Sequence, residues 1–216
     1  MVPADTPSPS TEDRLREQAP RTWQRMLSGR RLNLIEPSPM DIEIEDIALG
    51  LSRNTRWNGQ TLGEHGWSVA QHSLLVTDIV RSLNPKAHPK VLLTALLHDA
   101  SEYVTHDLIT PLKAAVGDVF KEVESRLMAA VHTRFGLPPL PTPEVKALIK
   151  KADWISAATE AVQLAGFEER EVRSVLGIKE KPLTNVTLVP LPVVEAQGRF
   201  LDAFRRAEAA VRLASR

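Results

Sequence analysis

The sequence predicts an all-α fold, a compact bundle of amphipathic helices. Three observations lead there: apolar residues recur at the i, i+3, i+4, i+7 spacing of a helix face, helix-starting Ser, Thr and Pro residues stand just ahead of those runs, and no apolar/polar alternation is long enough for a core sheet. No internal repeat is visible.

Residues 1–20 carry Pro3, Pro7, Pro9 and Pro20 among Ser, Thr, Asp and Glu, with little to bury, and read as a loosely ordered leader ahead of one domain over 21–216. The first helical pattern runs from Ile42 to Leu51, and it stops in the polar stretch 52–59, a loop that presents Arg56 and Trp57. Ser68 caps a helix whose inward face is Val69, His72, Leu75, Val76, Ile79 and Val80. Pro85 and Pro89 bracket a turn, and Pro89 opens a helix expected to run through Leu97 into His98 and Asp99. A long helical segment follows from about Leu112 to Phe135, with a possible interruption at Gly117 and a stop at Gly136, Pro138 and Pro139. Thr142-Pro143 starts another helix, with Asp153 beside its apolar stripe. Residues 182–192 are extended and irregular, and a last amphipathic helix spans roughly Val194 to Leu213.

The 216 residues suit one well-buried domain. The 27 basic and 27 acidic side chains cancel, so no global field draws the chain to a nucleic-acid polymer or an anionic membrane. With no cysteine, thiolate catalysis, disulfides and sulfur-ligated metal are excluded, and metal ligands must be nitrogen or oxygen. No apolar run approaches the ~20 residues that span a bilayer, and no secretory signal is visible, so the expectation is a soluble cytoplasmic protein.

His72, His98, Asp99 and Asp153 each stand on a segment that otherwise packs apolar side chains. Burying such groups is costly without compensation, and a divalent ion ligated by two imidazoles and two carboxylates supplies it. Taken singly, an inward His reads as a hydrogen-bonded core residue and a helical Asp as a solvated or Arg-paired one; the combination is harder to dismiss. Glu102 lies three residues past Asp99. On a continuing helix the two carboxylates share a face, which makes Glu102 either a general base or one half of a surface ion pair. Arg56 offers a planar fork for phosphate and Trp57 an aromatic face, with a half-buried packing role as the alternative for Trp57. Lys113 is a second phosphate cation or a solvated lysine, and His65 a loop histidine that touches phosphate or solvent alone. Asp107 is a site residue or a helix cap. His88 and His132 read as peripheral.

The segments Ser68-Val-Ala-Gln-His72-Ser, Leu96-Leu-His98-Asp99-Ala-Ser-Glu102 and Lys151-Ala-Asp153 resemble the His…His-Asp…Asp signature of HD-domain phosphohydrolases, over about residues 42–165. Arg56-Trp57, Thr105-His106-Asp107 and Thr110-Pro-Leu-Lys113 are similar to the bacterial 5′-deoxynucleotidase branch and its dNTP-hydrolysing relatives. The resemblance implies an all-α HD-domain bundle with the metal site at its centre. It also implies one divalent ion (Co2+, Mn2+, Zn2+ or similar) on His72, His98, Asp99 and Asp153, and hydrolysis by a metal-activated water, with Glu102 and Asp107 catalytic. Arg56, Trp57, Lys113 and His65 would bind substrate, and the protein would be a homodimer, with the apolar helix around Phe200, Leu201 and Phe204 available to a partner. The implied substrate is a deoxyribonucleoside 5′-monophosphate; a dNTP triphosphohydrolase and a non-catalytic metal- or nucleotide-binding module are the alternatives. The chain departs from the branch in its longer leader and in the glycine-rich stretch 58–66.

Overall fold

A computed structural model describes residues 21–215; the leader expected over 1–20 lies outside the described residues. The chain enters through a short antiparallel hairpin, β1 (Trp23–Arg25) and β2 (Arg31–Asn33), turning at Gly29 with φ +98°. Three-residue strands are too short to show alternation in sequence, so this hairpin was not expected. Its Leu32 is fully buried and Ser28 donates to Asp46, which fastens the hairpin to the first helix.

The helices are α1 (Ile44–Arg53), α2 (Val69–Leu83), α3 (Pro89–Leu96), α4 (Glu102–Thr105), α5 (Thr110–Val116), α6 (Asp118–Arg134), α7 (Pro143–Gln163), α8 (Glu169–Ser174) and α9 (Val193–Ala214). The all-α expectation therefore holds, and the expected helix starts are chemically as read: the Ser68 and Thr142 side chains accept from backbone N–H groups of the first turn, and Pro89 and Pro143 open their helices. Gly117, at φ +80°, splits the long segment into α5 and α6. The six-residue α8 is an element the sequence reading did not include.

One expectation is corrected. The helix opened by Pro89 ends at Leu96, and residues 97–101 form successive turns before α4 begins at Glu102. His98 and Asp99 thus sit on a turn between two helices, where side chains can converge with those of other elements, and Asp99 and Glu102 do not share one continuous helix.

Helix α2 packs on α3 and α7, while α9 closes the opposite side against α1, α3 and α2. Phe200 of α9 is fully buried with Leu32, Ile47, Leu51, Leu93, Leu96 and Leu127 in the main core. A second cluster, Val76, Ile79, Val80, Ala95, Ile149 and Ala152, cements α2, α3 and α7. These three elements carry His72, the His98-Asp99 turn and Asp153, so burial of their apolar faces holds the polar groups in register. At the α1–α4 crossing, a Cβ on Gly50 would lie 2.6 Å from the Tyr103 carbonyl oxygen, so the missing side chain lets α4 approach.

Candidate metal centre and adjoining cavities

His72 is fully buried. Its Nδ1 lies 2.6 Å from Glu160 Oε1, and its Nε2 lies 3.3 Å from Asp153 Oδ1 and 3.5 Å from Asp99 Oδ2. His98 Nδ1 lies 2.9 Å from the Ala95 carbonyl oxygen, while its Nε2 lies 3.1 Å from Asp99 Oδ2. Both Nδ1 atoms therefore donate to an acceptor, which leaves both Nε2 atoms as lone-pair donors. Neither buried Nε2 has a hydrogen-bond partner.

Two ring nitrogens facing two carboxylates call for positive charge among them, supplied by a metal ion or, on His72, by a proton. The donor set fits a metal ion: ligand atoms of His72, His98 and Asp153 all lie within 4.8 Å of one another, with Asp99 Oδ2 beside both imidazoles. Ligands about 2.1 Å from a first-row metal stand roughly 3.0–3.4 Å apart at octahedral or tetrahedral angles, close to the spacings seen here. Nitrogen and oxygen donors without sulfur suit Mn2+, Co2+ or Zn2+. The electrostatics agree. Burial and the Arg56 charge push the His72 pKa down, but Glu160, Asp153 and Asp99 outweigh them and raise it well above the ordinary value. Burial works against ionisation of Asp99 and Asp153 too, yet the imidazoles hold both pKa values below the usual carboxylate range.

Asp99 and Asp153 open onto two cavities. One, of about 510 Å³, is lined by Arg56, Trp57, Glu102, Asp107, Lys113 and Trp154 among others. Glu102 is 3% exposed, its Oε2 has no hydrogen-bond partner, and its Oε1 lies 3.4 Å from Lys113 Nζ. It is no surface ion pair. Burial, followed by the charges of Asp99 and Asp107, pushes its pKa up to about 9. Lys113 also reaches Glu124 at 3.4 Å, and Asp107 does not cap α5 but faces Arg56 Nη1 at 3.7 Å.

The structure corrects the simple picture of Arg56 as an unengaged phosphate fork. Its Nε donates to Glu160 Oε2 at 2.7 Å, and Trp57 Nε1 donates to the same oxygen at 3.1 Å. Trp57 is half-buried against Phe167, ring centroids 5.8 Å apart, and also lines the cavity. His65 stands on its loop and is not among the residues lining either cavity beside the centre.

The second cavity, about 460 Å³, adjoins His98, Asp99 and Asp153 from the other side and is lined by Met128, His132, Pro139, Leu140 and Ile149. His132, expected to be peripheral, is 3% exposed there. Burial lowers its pKa against the pull of the Pro139 carbonyl, which its Nδ1 meets at 3.2 Å.

Sequence reasoning missed Glu160, Lys150 and Trp154. Lys150 Nζ lies 2.9 Å from Asp153 Oδ2 and over the Trp154 ring, and both residues line the 510 Å³ cavity. The signal for Glu160 was its place on α7, two turns past Asp153 and one past Ser156, on one helical face.

The sequence matches the 5′-deoxynucleotidase YfbR-like family over residues 48–197. The chain belongs to this family of the HD superfamily. It is 52% identical to an uncharacterized protein of Rhodobacter capsulatus over 179 residues, 82% of this chain and 91% of the relative. It is 34% identical to the uncharacterized protein YfdR of Escherichia coli over 178 residues, 82% of this chain and 90% of the relative. Family membership and the His/Asp cluster together make it an HD-type hydrolase with a divalent metal site. No helix among the described residues is long and apolar enough to cross a membrane.

Proposed function

We propose that this YfbR-like chain hydrolyses deoxyribonucleoside 5′-monophosphates to a nucleoside and orthophosphate, with His72, His98, Asp99 and Asp153 holding one divalent ion. The observation that carries this reading is the buried, incompletely paired Glu102 carboxylate on the cavity that Asp99 and Asp153 share. A purely structural metal needs no such neighbour, which counts against the non-catalytic module. When bound, the ion supplies Lewis acidity, lowering the pKa of water and offsetting phosphate charge. Glu102 is placed on the cavity to take a proton from the attacking water in its ionised form, which the positive charge of a bound ion beside Asp99 favours. Lys113 and Arg56 face the phosphate with positive charge, and each is already held in place by carboxylates.

The cavity favours a monophosphate over a triphosphate. Its lining holds the cations Arg56, Lys113 and Lys150 against Asp99, Glu102, Asp107 and Asp153. One divalent charge leaves a small positive balance, matched to a phosphate dianion and short of what a triphosphate demands. Trp57, Trp154, Leu176 and Ile178 give sugar and base an apolar wall, and Asp107 accepts from a deoxyribose hydroxyl. The test is a panel of dNMPs, NMPs and dNTPs with Mn2+, Co2+ and Zn2+, reading both products. Orthophosphate from dNMPs is expected; tripolyphosphate from dNTPs, or no turnover with any metal, overturns the reading.

A further inference from the structure

Glu160 is fully buried on α7 and is no member of the metal-ligand set, yet it holds four polar partners. Its Oε1 accepts from His72 Nδ1 at 2.6 Å and from Ser156 Oγ at 2.8 Å; its Oε2 accepts from Arg56 Nε at 2.7 Å and from Trp57 Nε1 at 3.1 Å. One oxygen thus holds a metal ligand and the other holds the residues that wall the substrate cavity. All four partners are donors. A carboxylate is the one side chain of this length that accepts at both ends; Gln presents an amide nitrogen to one pair of donors.

The segment held by Oε2 is strained. Trp57 and Asn58 have φ of +58° and +50°, and Gly59 follows at +71°, so two residues with side chains occupy the left-handed region in succession. Such conformations persist only where surrounding contacts fix them. Here the side-chain contacts include the two bonds to Glu160, the Arg56–Asp107 ion pair at 3.7 Å and the Trp57–Phe167 ring contact, with Arg56 N bonded to the Trp67 carbonyl at 2.8 Å.

We infer that Glu160 is a positioning residue that couples occupancy of the metal centre to the conformation of the Arg56–Gly59 turn. The inference rests on the functional reading above and deepens it. Ligation through Nε2 fixes the ring's tautomer and orientation, so occupancy holds the His72–Glu160 bond in one geometry and with it the carboxylate plane that orients Arg56 and Trp57. Linkage makes the effect reciprocal: an ordered turn favours the ion.

The experiment is hydrogen–deuterium exchange of the full chain with and without saturating Mn2+, binding being followed by the electron paramagnetic resonance of the ion. In the wild type, amides of residues 56–60 slow by about fivefold or more on Mn2+ addition. In Glu160→Gln, Mn2+ binds about tenfold more weakly, and at saturation the slowing of this segment is lost. Full slowing in the variant, or none in a wild type that binds Mn2+, overturns the coupling alone; a wild type that binds no divalent ion overturns the functional reading beneath it. Should Glu160→Gln fail to fold, Arg56→Lys keeps the charge and removes the Nε donor, and it too must lose most of the slowing; retention of it overturns the inference.

Discussion

The two cavities on either side of Asp99 and Asp153 share ligands and are nearly equal in volume, yet their walls differ in kind. On one side Arg56, Glu102, Asp107 and Lys113 supply charges that are partly or fully buried and cross-braced. On the other, Met128, Pro139, Leu140 and Ile149 supply a mostly apolar wall beside Lys146 and Lys150, and burial lowers the His132 pKa. Access to a metal centre is therefore not enough to define where phosphate chemistry takes place. The side with oriented charge is the one equipped to stabilise a phosphoryl transition state.

The largest effect breaks both cavities at once: Asp153→Ala lowers kcat on the order of a thousandfold, with bound metal falling in parallel by elemental analysis. Next comes Glu102→Gln, which affects one side alone. It should lower kcat by about a hundredfold while metal content stays at the wild-type level. The same variant has a pH signature in metal-free protein. The Glu102 pKa is raised from 4.5 to about 9, so the folded state holds this proton more tightly than the unfolded chain. Its stabilising contribution is full below about pH 4.5 and is lost as pH rises through about 9. The Tm of Glu102→Gln should accordingly exceed that of the wild type by a margin that widens from pH 5 to 9; a constant margin sinks the assignment.

Smaller effects sharpen the contrast. Gly50→Ala forces a methyl against the Tyr103 backbone and displaces α4, which carries Glu102; about 1–3 kcal/mol of stability should be lost in denaturant titrations, with kcat reduced and KM little changed. Lys113→Met should raise KM about tenfold in steady-state assays. The least effect belongs to the apolar side: His132→Asn should leave kcat/KM within about twofold of wild type. A large loss there would mean that substrate occupies the apolar cavity.

The contrast also explains what the sequence could disclose. His72, His98 and Asp153 were legible because polar residues interrupting apolar helical stripes carry a burial cost that needs a reason. The helical bundle was legible through caps and periodicity that agree with packing. Glu160 was not, because it sits in Ala157-Ala158-Thr159-Glu160-Ala161, where small side chains leave the buried face ill-defined. The left-handed turn was hidden for another reason: Asn58 tolerates φ above zero but a bulky Trp57 does not, and contacts distant in sequence impose it there. The turn at His98 and Asp99 was masked by a good helical run leading into it.

The two imidazoles of the centre differ in what stands behind them: a carboxylate behind His72, a peptide carbonyl behind His98. One partner carries a full negative charge and the other only a carbonyl dipole, so the two rings form an unsymmetrical pair. Nitrogen-15 chemical shifts should tell the two rings apart before any metal is added.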